Sequence, residues 1–373
     1  MKGGAQMLRY VFVVCALLLA AAAGCGDGGG SGGDGGTDTG SDSDSDTHDY
    51  WEWESAMIPG SFVGHQWYHR VFAVAANDAT ICAGNMVNGT GGILSFDGAA
   101  FTTEETGFVC EFVWGLDADH VWALGYVDET FEPVLYSRSG GVWSQDTVDG
   151  ADDSCRLEAI FGASVDDATL VGWCSGGVRQ SWVPGGPGAW VAGAEIVPTD
   201  DVLDTIYGVV ALPDGDVFYG SGLYENAGGT DLGYQAERAL WVGGDAMSDL
   251  RVLEGDEVRS LVDDTWMIFA ACPYDLSADE YAVCWSCGAR DGASGDVYLG
   301  GGRGGAAGEN IDDWRLNRVS AVDGTVSRIL EPCGGEEPSC GVDDLSLAAD
   351  GMLFAIASGP QPRLMWHQIP AAD

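Results

Sequence analysis

The stretch "FVWGLDADHVWALG" (residues 112–125) decides the fold. Two short runs rich in aromatic and β-branched residues flank an acidic turn, and each run ends on glycine. Alternation of this kind over four to eight residues is the pattern of a half-buried strand, not of a helix. The same unit returns as "AIFGASVDDATLVG" (159–172) and "TIYGVVALPDGDVFYG" (205–220). Looser copies are "VFAVAANDATICAG" (71–84), "CWSCGARDGASGDVYLG" (284–300) and "LSLAADGMLFAIASG" (345–359). Nowhere is there sustained helical periodicity.

Each copy is followed by a second pair of apolar runs around a tight turn. The turns fall at Asp97-Gly98, Gly140-Gly141, Gly185-Gly186, Gly243-Gly244 and Asp323-Gly324. Asp-Gly and Gly-Gly supply the positive φ that two-residue hairpins require. One repeat is then four antiparallel strands in about 45 residues, the size of a propeller blade. The reading is an all-β chain, a β-propeller with six visible four-stranded blades. The last two turns are widely spaced, and "VRSLVDDTWMIFAAC" (258–272) is the candidate for a degenerate seventh blade. The final copy supplies three strands, so "YWEWESAMIP" (50–59) is expected to donate the fourth and close the ring. The repeats resemble the tandem β-propeller repeats common in exported proteins of myxobacteria and their relatives. That resemblance spans about residues 65–368 and implies the propeller fold without naming a ligand.

The chain opens differently. "VFVVCALLLAAAAGC" follows Lys2 and Arg9, and its apolar run of about 14 residues is short of the roughly 20 needed to span a bilayer. Charge, apolar run and small residues in that order make a secretory signal. "AAGC" resembles a bacterial lipobox, which implies that residues 1–24 are removed and Cys25 carries lipid. Residues 25–49, almost all Gly, Asp, Ser and Thr, read as a disordered tether, because so little apolar surface cannot offset ordering entropy. Residues 50–373 are the propeller domain. The expected location is the outer membrane, with the lipid bilayer as one partner.

Composition excludes some functions. The chain has 58 acidic against 15 basic residues, which argues against binding nucleic acid phosphates. Lys2 is the only lysine, so after signal removal lysine-based catalysis is excluded. Beyond Cys15 and Cys25, nine cysteines remain, and in an exported protein they read as disulfides with one thiol left over. Cys333–Cys340 and Cys155–Cys174 are the candidate pairs. Cys284-Trp-Ser-Cys287 lacks the second pair or histidines of a zinc site and reads as structural disulfide chemistry.

No residue pattern names a reaction. His65 and His69 lie four apart in an extended segment, about 13 Å, too far to share a metal. "DSDSDTHD" begins like an EF-hand loop, but from Asp42 the glycine and glutamate positions hold Thr47 and Trp53. No metal site and no cofactor follow, and Ca²⁺ has no motif behind it. Two long segments, 222–235 and 302–314, read as expanded loops between second and third strands. They gather Tyr224, Asn226, Asp231, Arg303, Asn310 and Asp312, groups suited to a sugar or a partner protein. The expected function is a binding module for a glycan or surface protein. The rival is an exported glycoside-processing or lactone-hydrolysing propeller.

Overall fold

A computed structural model describes residues 51–370 apart from short stretches, the longer being 197–205, 232–238, 273–284, 302–314 and 331–340. The signal, Cys25 and the tether lie outside the described residues. The described strands form five antiparallel sheets of four and one sheet of eight, in which two antiparallel sets of four are joined by a short parallel pairing of their outermost strands, Ala189 opposite Thr147 and Trp190 opposite Val148. The strand β1 (Glu54–Met57) precedes the first complete blade, which is β2 (Trp67–Ala75), β3 (Asp78–Asn85), β4 (Thr90–Phe96) and β5 (Phe101–Thr106). The second is β6 (Val109–Asp117), β7 (His120–Val127), β8 (Glu132–Ser139) and β9 (Val142–Val148). The third is β10 (Arg156–Phe161), β11 (Thr169–Cys174), β12 (Val178–Gly186) and β13 (Ala189–Ile196). The fourth is β14 (Ile206–Leu212), β15 (Gly215–Gly220), β16 (Leu223–Glu225) and β17 (Thr230–Asp231). The fifth is β18 (Trp241–Gly243), β19 (Arg251–Glu254), β20 (Glu257–Val262) and β21 (Thr265–Ala271). The sixth is β22 (Cys287–Arg290), β23 (Val297–Gly301), β24 (Arg315–Val319) and β25 (Val326–Arg328). The last is β26 (Gly341–Leu347), β27 (Met352–Ser358) and β28 (Arg363–Gln368), completed by β1.

The first strand of each blade is innermost. Each packs on the first strand of the next, from β2 through β6, β10, β14, β18 and β22 to β26, and β26 packs on β2. The ring is therefore closed. The expected donation is present: β1 pairs antiparallel with β28, Glu54 opposite Trp366 through Met57 opposite Arg363. Ahead of β1, Trp51 stacks on His367 (4.4 Å between centroids) and meets Tyr298 of the sixth blade (5.9 Å). The Trp53 indole N–H donates to the Ile329 carbonyl (3.2 Å). The N-terminal strand thus holds the sixth and seventh blades together from outside.

The core lies between blades, because each sheet buries both faces against its neighbours. One cluster joins Val71, Ile81, Leu94 and Phe96 of the first blade to Phe354, Ile356, Leu364 and Trp366 of the last. Another joins Val113, Val121 and Trp143 to Cys82 and Ile93 across the next seam. In the second strands of the second and third blades, a glycine is required sterically. A Cβ on Gly125 would lie 1.8 Å from the Val109 carbonyl oxygen, and one on Gly172 2.2 Å from that of Arg156. Only glycine permits that approach.

Two turn assignments shift. Gly243 ends β18, the innermost strand of the fifth blade, so Gly243-Gly244 is not the closing hairpin of the fourth. The third-blade turn falls at Pro187-Gly188, because Gly186 already pairs with Ala189. Residues 258–272 do supply the last two strands of the blade whose repeat was missing. Its first two strands, joined through 244–250, lack an Asp-Gly hairpin.

Candidate functional site

The innermost strands carry a chain of charges that crosses four blades. Its geometry starts with bulges. In β6 the register slips between Cys110 and Phe112, leaving Glu111 outside the ladder; in β10 it slips at Glu158, and in β26 at Asp343. A bulge re-aims the extra side chain. All three lie near the start of their strand, the end from which the connections between second and third strands also leave.

The Arg156 guanidinium donates to Glu111 twice, Nη2 to Oε1 at 2.6 Å and Nε to Oε2 at 3.2 Å. On the other side of Glu111, Arg70 pairs with Asp344 at 3.6 Å, and the Asp344 Oδ2 accepts the Val71 backbone N–H at 2.8 Å. His69 is buried; its Nε2 donates to the Phe62 carbonyl, and its Nδ1 lies 3.8 Å from Asp343. The side chains of Arg70 and Arg156 are 45 % and 53 % exposed while that of Glu111 is 12 % exposed. Cations therefore face solvent and the carboxylate sits behind them. Burial pushes the Glu111 carboxyl above its ordinary value, against the pull of Arg156. Burial likewise raises Asp344, with Arg70 opposing. The Tyr126 phenol beside them is pushed up to about 12, by burial and then by the Glu111 charge.

Two disulfides fix this chain. Cys82–Cys110 links β3 to β6 across the seam between the first two blades, and Cys155–Cys174 brackets β10 and β11. Glu111 follows Cys110, Arg156 follows Cys155, and Arg70 pairs across the ladder with Cys82. Each of the three charges is thus anchored at a half-cystine. The Cys155–Cys174 pair agrees with the sequence expectation. Cys82–Cys110 carries no sequence signal, since its halves belong to different repeats. Cys333 and Cys340 lie outside the described residues. Cys287 corrects the disulfide reading of its motif: it is free and buried, with Sγ 3.4 Å from the Gly300 carbonyl oxygen. Burial raises its thiol well above the ordinary value, which opposes thiolate chemistry.

The sequence-derived ligand residues fare differently. Segment 302–314 does join the second and third strands of the sixth blade, β23 and β24. Arg303, Asn310 and Asp312 within it lie outside the described residues, as does Asn226. Segment 222–235 is not one loop. Tyr224 is in β16 and Asp231 in β17, paired with each other. The third strand begins at Leu223, so most of the segment lies in or beyond it, and residues 226–229 are outside the described residues. Asp117, away from the inner chain, accepts from the His120 Nδ1 at 2.8 Å; that bond chiefly holds its carboxyl low.

The inner charges do have a signal in the repeat. The residue just before four of the quoted copies is Arg70, Glu111, Glu158 or Asp344. Among the described residues no group of three or more His, Cys, Asp or Glu side chains is arranged to hold a metal ion.

These features define a β-propeller, and solved structures agree. The chain is similar to YCF48 from Cyanidioschyzon merolae, at 14 % identity over 84 % of this chain and 98 % of that one, with a TM-score of 0.55. It is also similar to a puromycin-hydrolyzing peptidase of Mycobacterium tuberculosis (12 % identity, 83 % of this chain, 52 % of that one, TM-score 0.52). A third likeness is to an extracellular domain from B. thetaiotaomicron (8 % identity, 83 % and 41 %, TM-score 0.52). At such identities the likeness concerns the fold alone. No family model and no curated protein matches this chain.

Proposed function

We propose that this protein is exported, anchored to the outer membrane through lipid on Cys25, and uses its propeller as a binding module for a glycan or surface protein. The observation that carries the binding reading is the Arg70–Glu111–Arg156 chain. It spans adjacent blades, presents two half-exposed guanidiniums, and is pinned by cross-links. Arranged donors on a rigid wall are what recognition of a polar ligand needs. The two disulfides support an oxidising compartment and so the export part of the reading.

Two experiments test it. Mass spectrometry of membrane-extracted protein should find a diacylglyceryl group on Cys25; an unmodified N-terminus elsewhere removes the anchor. Glycan and surface-protein arrays should yield a ligand whose binding falls at least tenfold in Glu111→Gln or in Tyr224→Ala/Asn226→Ala. Binding unchanged in both variants would sink the site. The enzyme reading draws on the raised Glu111 carboxyl, since a general acid needs such a shift. It requires a product-forming activity that Glu111→Gln abolishes while ligand binding persists.

A further inference from the structure

Of the outermost strands, β9 and β13 pair with each other in parallel, and four of the other five carry a charged residue: Glu54 in β1, Glu104 with Glu105 in β5, Asp231 in β17 and Arg328 in β25. The exception is β21, "TWMIFAA", in a chain with 58 acidic side chains. Charges on edge strands block pairing with foreign strands, and an uncharged edge lacks that protection. Among the described residues, the large exposed side chains near this edge are apolar: Met267 (55 %), Ile268 (57 %) and, on β20, Val262 (46 %).

Their directions matter. Val262 pairs with Thr265 and Ser260 with Met267, so Val262 and Met267 share one face of the sheet. Ile268, one residue on, points to the other. A partner packing face-on would cover one set only. A strand laid along the edge would cover both, because its own side chains alternate to the two faces. The available length is Thr265–Ile268. Beyond it the register slips at Phe269, and Gly324 of the sixth blade approaches closely enough that a Cβ there would lie 2.3 Å from the Phe269 carbonyl oxygen.

Charge selects the occupant. Between residues 249 and 271 there are six acids and two arginines. Arg251 pairs with Asp249 at 2.8 Å, and Arg259 with Glu257 at 2.8 Å and Glu254 at 3.7 Å. Asp263 and Asp264 immediately precede β21 in the sequence. A second copy of so acidic a chain would bring like charge to like. We infer that β21 docks an extended segment of a partner protein, with alternating apolar side chains and lysine or arginine at its ends. This surface is on the outer circumference, away from the inner-strand charges, and does not depend on the anchor or on Tyr224 and Asn226.

The test uses the whole chain and a synthetic ten-residue peptide of alternating valine and threonine with two lysines at each end. Fluorescence anisotropy at low salt should show saturable binding at least tenfold tighter than for the same peptide ended by glutamates. Met267→Asn/Ile268→Asn, which leaves the charge unchanged, should weaken it at least tenfold. Thr102→Asn/Thr103→Asn on β5 is the control and should leave binding intact, with circular dichroism confirming the fold of all three proteins. Absence of saturable binding, or equal binding by both double variants, overturns the inference. A concentration-dependent dimer lost only in the β21 variant overturns it too, by naming a second copy as the occupant.

Discussion

The first blade is flanked by two seams built on different chemistry. Towards the second blade, the covalent bond Cys82–Cys110 crosses the gap. Towards the last blade nothing covalent crosses among the described residues, and side chains of the last blade bond the backbone of β2 instead. Asp344 accepts from Val71, Ser346 from Ala73 and Asp350 from Ala76, at 2.8, 2.9 and 2.9 Å. Beneath them lies the apolar cluster that includes Trp366 and Phe96, whose rings are 4.8 Å apart. The two seams therefore fail under different conditions. One depends on redox state, the other on a strand that must return from the far end of the sequence.

The largest effect is expected at the closing seam. Deleting residues 51–57 removes β1, its four register pairs and the tryptophan contacts on Tyr298 and His367, leaving β28 as a bare edge. Cooperative thermal unfolding should be lost, or the midpoint should fall far below that of any point variant, with hydrogen exchange rising first in β28. Unchanged exchange there would show that the ring closes without its N-terminal strand.

Next is the covalent seam. Its loop of 28 residues gives about 3–4 kcal/mol in the chain-entropy model. Cys82→Ala/Cys110→Ala should lower the urea-derived stability by that order, and a reductant should then cost the variant less than it costs the parent. Equal losses in parent and variant would place the redox sensitivity elsewhere, in Cys155–Cys174 or in the bridge that holds Cys272.

A smaller change separates the roles of Asp344. Asp344→Ala leaves the Val71 N–H without its acceptor and should cost about 1–2 kcal/mol, whereas Asp344→Asn can keep that bond. The folded carboxyl titrates above its ordinary value because it is buried. Its contribution is therefore fully present at low pH and fades as pH rises through the raised value. Between the ordinary carboxylate range and that value, the Asn variant should show a flatter stability–pH profile than the parent. A parallel profile would contradict the shift.

The smallest effect belongs to the turns. Asp97 accepts from the Ala99 and Ala100 amides at 3.0 and 2.8 Å, and these bonds hold its carboxyl low. Asp152 and Asp323 cap their turns in the same way. Stability from such groups is present above the ordinary carboxylate value and lost as pH falls through the lowered one. Asp97→Ala should speed exchange at Ala99 and Ala100 with little change in midpoint, leaving both seams intact.

The sequence pattern made the blades legible because each local choice repeats. Glycine sits where a Cβ meets a carbonyl, aspartate where a turn needs an acceptor, and apolar residues alternate along strands. The fifth blade is hard to read because Gly243-Gly244, which reads as a closing hairpin, instead follows its innermost strand, and its strands follow no "WG…G" frame. The candidate site was harder still. Glu111, Glu158 and Asp343 stand at bulges, and a bulge is a relation between two strands that one strand's sequence does not show. Cys82–Cys110 was hidden for the same reason, as a contact between repeats, while Cys155–Cys174, inside one strand pair, was legible.

The donated strand also has a consequence in time. Among the described strands β1 comes first, yet it pairs with β28, the last, so more than 300 residues separate Ser55 from Met365. Closing so long a loop is entropically slow, and pairings of this range are late events in folding. During synthesis the leading strand must stay unpaired until the trailing end appears. The ring exists as a ring only after its last blade is made, so a chain cut short anywhere is an open arc with two unprotected edges.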